Sequence, residues 1–390
     1  MTRVAFQLNF RDRSWMGGVN YFRNLFEALR LSDSQCIEPV IMAGYSADKG
    51  ILKSLGDSEI YLSPWGDTMG WRWKVRRALA LGIGCDFIYE RKLKAERIEL
   101  VSHMGYLGER AGIPSLVWIP DFQERYFPEF FSGVELNARS RENRNVIQHA
   151  SAILLSSEHA REGLAQISLE AAERAYVLPF VASVPDVSDI PSYESLVAKY
   201  DLPENFFFLP NQFWKHKNHE VVIRALGVLK RSGKPLTVVA TGNLHDHRQP
   251  EHAQYLLRMI EAEKVASEFR ILGMVPYLDL MGLMANAVAV LNPSLFEGWS
   301  TTVEESKSLG KVVIISDIPV HREQAPERGV FFDPADPDEL ASVLVNVSQA
   351  YSQESEISAM SAAQLKFPAR RLNFAHKYQK IVYAVIEGEN

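Results

Sequence analysis

Asn292-Pro-Ser-Leu-Phe-Glu-Gly-Trp-Ser-Thr-Thr-Val-Glu-Glu-Ser-Lys-Ser-Leu-Gly310 lies between two apolar runs, residues 287–291 and 312–315. Both runs have the length and composition of buried strands. The stretch between them reads as a turn at Glu297-Gly298, followed by a helix that begins near Ser300 and carries Glu305. Strand, turn, helix and strand in that order form the repeating unit of a parallel sheet covered by helices.

The pattern extends in both directions. Residues 206–209, 236–240, 269–272 and 330–332 are further strand candidates in the second half of the chain. Residues 4–8, 40–43, 115–119, 152–155 and 176–178 are the candidates in the first half. Helical spacing separates many of them, as in Val19, Phe22, Leu25, Phe26 and Leu29. The polar, proline-containing stretch after residue 182 interrupts the alternation and reads as a linker. The expected domains are therefore 1–185, a linker at 186–200, and 201–370. An amphipathic terminal helix follows at 371–390, carrying Phe374, Tyr378, Ile381, Val382 and Val385.

A chain of 390 residues suits two cores rather than one. Its net charge of −6 argues against nucleic acid as the main partner. Two cysteines, Cys36 and Cys85, provide neither a disulfide framework nor a metal cluster, and the histidines show no metal-ligand spacing. The opening residues lack the pattern of a signal peptide, and no apolar stretch is long enough to span a bilayer. The expected location is the cytoplasm.

Candidate site residues follow from the strand-then-loop positions, where ligands of open α/β sheets bind. Glu297, in the turn, can accept hydrogen bonds from sugar hydroxyls. The backbone N–H groups near Gly298, Trp299, Ser300, Thr301 and Thr302 suit a phosphate. Glu305, further along the helix, can hold a ribose diol. Together these describe a layout for a nucleotide sugar. The loop Asn211-Gln-Phe-Trp-Lys-His-Lys-Asn218 follows a strand and precedes a helix. Its Lys215 and Lys217 can neutralise a departing diphosphate, or be solvated lysines beside a helix start. Asp121, after residues 115–119, either binds hydroxyls or caps the next turn. Gly17-Gly18 permits a close backbone approach but is not a dinucleotide fingerprint. Gly242 and Val275 stand in the corresponding loops further on. Trp71-Arg-Trp-Lys-Val-Arg-Arg77 mixes aromatics with positive charge, as at the surface of an anionic membrane, or forms an ordinary solvated basic face.

The spacing Glu297-x7-Glu305, the loop at residues 209–219, the strand and turn at residues 311–323 and the Gly17-Gly18 pair together resemble the retaining GT-B glycosyltransferases, specifically glycosyltransferase family 4. The resemblance implies two Rossmann-like, doubly wound domains facing across a cleft, with the terminal helix crossing back onto the first. It implies transfer of a hexose-type sugar, with retention, from a nucleotide diphospho-sugar to a glycan or lipid-linked acceptor, as in surface polysaccharide assembly. No metal or other cofactor is expected. By the same resemblance Lys217 is the phosphate lysine, Glu297 contacts the donor sugar, Glu305 contacts the ribose, and Val275 lies near the nucleobase. The chain departs from the family at three places. Gln212 replaces an arginine, Trp299-Ser300 replaces Phe-Gly or similar, and Asp121 stands near a usual histidine. The lipid-linked acceptor and the basic run suggest peripheral contact with the inner face of the cytoplasmic membrane. Two other readings share the fold: an inactive sugar-nucleotide-binding partner, and a GT-B epimerase or phosphorylase.

Overall fold

The computed structural model describes the whole chain except residues 12–15, 33–35, 69, 104, 109, 247 and 389–390, and except the side chains at 16, 77, 81 and 187. Seven strands make one sheet: β1 (Thr2–Gln7), β2 (Ile37–Ala43), β3 (Glu59–Leu62), β4 (Leu100–Ser102), β5 (Ser115–Ile119), β6 (Ala152–Leu155) and β7 (Tyr176–Val177), in the order β3-β2-β1-β4-β5-β6-β7. Six make another: β8 (Phe207–Leu209), β9 (Val238–Thr241), β10 (Phe269–Gly273), β11 (Val290–Asn292), β12 (Val313–Ser316) and β13 (Gly329–Phe332), in the order β10-β9-β8-β11-β12-β13. The recorded strand pairings are parallel in both sheets. Both sheets thus show the doubly wound order, in which the chain turns back beside its first strand.

Parallel strands need helical crossovers, which cover both faces of a sheet and favour continuous apolar runs. The second sheet shows this directly. Phe207 and Leu209 pack with Val222, Leu226 and Leu340 on one face, while Phe206 and Phe208 pack with Met281, Val303 and Ile315 on the other. Successive strand side chains point to opposite faces, so one run of phenylalanines serves two cores.

The chain divides into two compact units. The first is residues 1–126, 133–181 and 369–390; the second is residues 127–132 and 182–368. The stretch 186–200, expected as a linker, contains the helix Tyr193–Tyr200. Ser192 caps that helix by accepting from Ser195 N–H, and Leu196 is buried against the second unit's core. Its polar residues are capping and surface positions of an ordered element.

The terminal helix is longer than expected, running Gln353–Glu387 with Pro368 inside it. Its start is held in the second unit, where buried Glu356 accepts from Lys311 at 2.7 Å and also meets Arg328. Gly310 has a left-handed φ of +68°, and a Cβ there would lie 2.4 Å from the Ala359 carbonyl oxygen, so glycine is required twice over. From Ala369 onward the helix belongs to the first unit, as the family resemblance implied. Phe374, Tyr378 and Val382 are buried there, and the Tyr378 hydroxyl donates to Ser102 Oγ at 2.8 Å. No helix among the described residues is long and apolar enough to cross a membrane.

Tyr378 separates packing from hydrogen bonding. Tyr378→Ala should destabilise the first unit by about 3–5 kcal/mol, and Tyr378→Phe by about 1 kcal/mol, measured by urea unfolding of the intact chain. Equal effects would show that the hydroxyl, not the ring, anchors the helix.

Candidate active site

At the middle of a doubly wound sheet the chain leaves neighbouring strands in opposite directions, and their loops part to leave a crevice at the carboxyl ends. In the second unit those strands are β8 and β11. The loop after β8 ends in the short turn Lys215–Lys217, closed by Asn218 at a left-handed φ of +54°. The loop after β11 carries Ser294, Glu297 and Ser300. Leu295 N–H donates to the His216 carbonyl at 2.8 Å and ties the two loops together. Across this junction Lys217 Nζ donates to Glu297 Oε1 at 2.6 Å.

This ion pair is nearly buried. Burial by itself would raise the Glu297 pKa. The Lys217 ammonium outweighs it, with a smaller push from His321, and holds the carboxyl down at about 2. His216 and His219 are driven the other way, to about 3, chiefly by burial. Around neutral pH the site therefore holds one carboxylate and one ammonium, with neutral imidazoles beside them.

The turn is coupled to the helix Thr301–Leu309. Ser294 Oγ lies 2.7 Å from Glu297 Oε1 and 2.6 Å from Asn292 Oδ1, so its single proton faces two acceptors. Asn292 Nδ2 donates to Ser300 Oγ at 2.6 Å, and Ser300 caps the helix by accepting from Val303 N–H. The Gln324 amide closes the chain: its oxygen accepts from Ser300 N–H at 3.1 Å, and its nitrogen donates to the Ser300 carbonyl and to Glu304. Of the N–H groups at the helix start, those of Thr301 and Thr302 have no hydrogen-bond partner among the described residues. They offer the partial positive charge of a helix N-terminus to an anion.

The adjacent glutamates have separate tasks. Glu304 is braced by Lys307 at 3.0 Å and by Gln324. Glu305 is buried too, but its carboxyl meets only the Tyr277 hydroxyl, at 3.4 Å, among the described residues. Burial pushes its pKa up to about 8. Near neutral pH it is mostly the neutral acid, able to donate as well as accept.

The other expected residues are placed as follows. Gly298 and Trp299 are half-buried in the turn between Glu297 and Ser300. Asn211, two residues past the end of β8, has its side-chain oxygen buried and without a hydrogen-bond partner among the described residues. Gln212 accepts from Asn243 N–H at 2.7 Å, clamping the loops after β8 and β9. Gly242 presses on the same loop, since a Cβ there would come within 2.4 Å of the Asn211 carbonyl oxygen. Lys215 is exposed and turned from Glu297: its N–H donates to Asp246, and its ammonium lies 5.3 Å from the Phe130 ring centre. Val275 packs at the edge of the second unit's core, two residues before Tyr277.

Gly17, Gly18 and Asp121 belong to the first unit. The two glycines lie not in a loop but in the first turn of the helix Met16–Arg30, and a Cβ on Gly17 would meet open space. Asp121 accepts from Gln123 N–H at 3.0 Å, shaping the turn into the next helix. Sequence reasoning missed Gln324, His321 and the segment 127–132, whose Phe130 and Phe131 lie under Lys215 and Arg248. His321 lies within the stretch 311–323 but carries no spacing that marks it, and Gln324 and the segment 127–132 act across long sequence separations that leave no local signal.

Two sheets of this order with a terminal helix returning to the first unit define the GT-B fold of glycosyltransferases. Residues 194–358 match the family of glycosyl transferases group 1. Over 146 residues the chain is 26% identical to the O-antigen chain mannosyltransferase RfbU of Salmonella typhimurium; the match covers 37% of this chain and only 39% of that relative. Among solved structures, Anabaena Alr3699/HepE in complex with UDP-glucose superposes with a TM-score of 0.69 at 16% identity, over 98% of this chain and 100% of that one. A glycosyltransferase from Rickettsia africae gives 0.67 at 16% identity, over 100% and 99%. Sucrose-phosphate synthase from Thermosynechococcus elongatus gives 0.66 at 12% identity, over 98% and 100%. At these identities the structural likeness is one of fold.

Glu305 generates a stability prediction. Its pKa in the folded chain, about 8, is above the ordinary 4.5, so folding is favoured while the group is protonated. That contribution is full below pH 4.5 and is lost as pH rises through 8. Glu305→Gln should therefore match the parent in acid and exceed its stability above pH 8 by roughly 3–5 kcal/mol. Parallel stability-versus-pH curves would show that Glu305 ionises freely in the folded protein.

Proposed function

We propose that the protein is a retaining glycosyltransferase of the family 4 type, which moves a hexose from a nucleotide diphospho-sugar to a hydroxyl of a glycan or lipid-linked acceptor in surface polysaccharide assembly. The observation that carries this reading is the Lys217–Glu297 pair beside the open N–H groups of Thr301 and Thr302. One half of the arrangement is cationic and suits a diphosphate; the other is a carboxylate that stays ionised and suits sugar hydroxyls. The relative that is a mannosyltransferase and the neighbour holding UDP-glucose support a hexose donor.

In this mechanism the diphosphate leaves with its charge met by Lys217 and the helix start, already in place before the bond breaks. Glu297 orients the sugar by accepting from its hydroxyls, and Glu305 meets the ribose diol as a neutral acid. No side chain in the group is placed as a covalent nucleophile. The acceptor hydroxyl attacks on the face the phosphate leaves, and the phosphate oxygen takes its proton, which retains the anomeric configuration. Lys217 and the backbone donors supply the charge stabilisation that a metal supplies elsewhere, so the reaction is proposed to run without one. Cys36 and Cys85 are free thiols, in keeping with a reducing cytoplasm.

A thermal-shift panel of nucleoside diphosphates and their hexose conjugates identifies the donor, since a ligand at 100 times its dissociation constant adds about 2.7 kcal/mol. With that donor, Lys217→Ala should lower kcat by about 10²–10³-fold, Glu297→Ala should abolish transfer, and chelators should leave the rate unchanged. The product's anomeric coupling by NMR should match the donor's. Nucleotide binding without turnover on any acceptor would replace the enzyme reading with that of an inactive binding partner.

A further inference from the structure

The helix Trp71–Ile83 of the first unit is anchored differently from its neighbours. Among its described side chains Arg76 alone is buried. Its guanidinium pairs with Asp86 at 3.0 Å and lies over the Tyr89 ring, 4.4 Å from the centroid. With a charged residue on the inner face, the apolar residues are left outside. Trp71, Val75, Leu79 and Ile83 recur every fourth position and are 68%, 44%, 41% and 45% exposed.

At 3.6 residues per turn each four-residue step rotates about 40°, so these four side chains form one continuous ridge. Arg72 and Lys74 project on either side of it, and the Arg72 guanidinium lies 5.4 Å from the Trp71 ring centroid. Phe87, the first residue of the next helix, is also exposed. The ridge helix contains no acidic residue, in a chain whose net charge is −6. Arg77, part of the same basic run, has its side chain outside the described residues.

We propose that this ridge docks on an anionic lipid bilayer, with the helix lying in the plane of the interface. The apolar ridge fits the boundary between headgroups and acyl chains, tryptophan is suited to that depth, and flanking cations meet lipid phosphates. Charge decides against a second copy as the occupant. A symmetric dimer through this face would set two helices that carry Arg72 and Lys74 and no acidic residue against each other, a like-charge contact with no partner to relieve it. The inference stands apart from the transfer reaction and is tested without a donor.

The test is co-flotation of the full chain with phosphatidylcholine vesicles, with and without phosphatidylglycerol. The protein should float only with the anionic vesicles, and less so at high salt. Lys74→Glu should weaken binding about tenfold or more, since each basic group near such a surface contributes about fivefold. Leu79→Asp, at an exposed position, should weaken it by at least about tenfold while leaving the thermal midpoint unchanged. Leu365→Asp, exposed on the terminal helix, should float like the parent. The proposal is overturned by absence of flotation, or by flotation that the ridge variants do not alter. Self-association in the absence of lipid that Leu79→Asp removes would overturn it in favour of a second copy.

Discussion

The candidate site depends on one ion pair between residues eighty positions apart, Lys217 and Glu297. The pair forms because β8 and β11 are neighbours in the sheet although three helices and two strands separate them in sequence. A buried carboxylate without that ammonium would be driven toward its neutral form. With it, the carboxylate stays charged, and the turn holding it is fixed at the mouth of the sheet. Ser294, whose one proton serves either Glu297 or Asn292, stands between the pair and a run of hydrogen bonds through Asn292, Ser300, Gln324 and Glu304 on the flank of the next helix. The turn carrying Glu297 and the helix start at Thr301 are thus braced against one another within the second unit.

Three glutamates within nine residues show how completely environment overrides residue type. Glu297 is ionised by a cation that outweighs its burial. Glu304, also buried, accepts from Lys307 and from the Gln324 amide and serves the frame. Glu305 meets only the Tyr277 hydroxyl among the described residues, and burial favours its protonated form. A motif that specifies two glutamates at fixed spacing therefore specifies two unlike chemical groups, one an acceptor alone and the other a donor and acceptor. The second suits a vicinal diol, which presents both functions at once.

The fold was legible in the sequence because the second sheet is built from compact apolar strands flanked by loops, and the ends of those strands supplied the candidate site residues. The first sheet was less legible. β3 is a partly exposed edge strand, and β4 spans three residues, too few for a periodic signal. The polar stretch containing Tyr193–Tyr200 concealed a helix because Leu196 is its one fully buried residue, with Tyr193, Val197 and Tyr200 half-buried against the same core. Gly17 and Gly18 suggested a loop by composition, yet helical φ and ψ are open to glycine as well. Gln324 was beyond reach: an amide bracing a helix start 24 residues earlier has no local signature.

The division of the chain also bears on the order in which it folds during synthesis. Residues 182–368 contain all six strands of the second sheet and can assemble once they have emerged, together with the short segment 127–132. The first unit, although it is translated earlier, lacks part of its own core until Phe374, Tyr378 and Val382 arrive at the far end of the chain. Domains of a nascent chain usually mature from the N-terminus onward. Here the first-made sheet must wait with an apolar face uncovered, and its closure is a contact of very long sequence separation, the slowest kind to form. The nascent protein is therefore most exposed to aggregation and to chaperone capture between completion of β7 and emergence of Phe374, Tyr378 and Val382, about two hundred residues later.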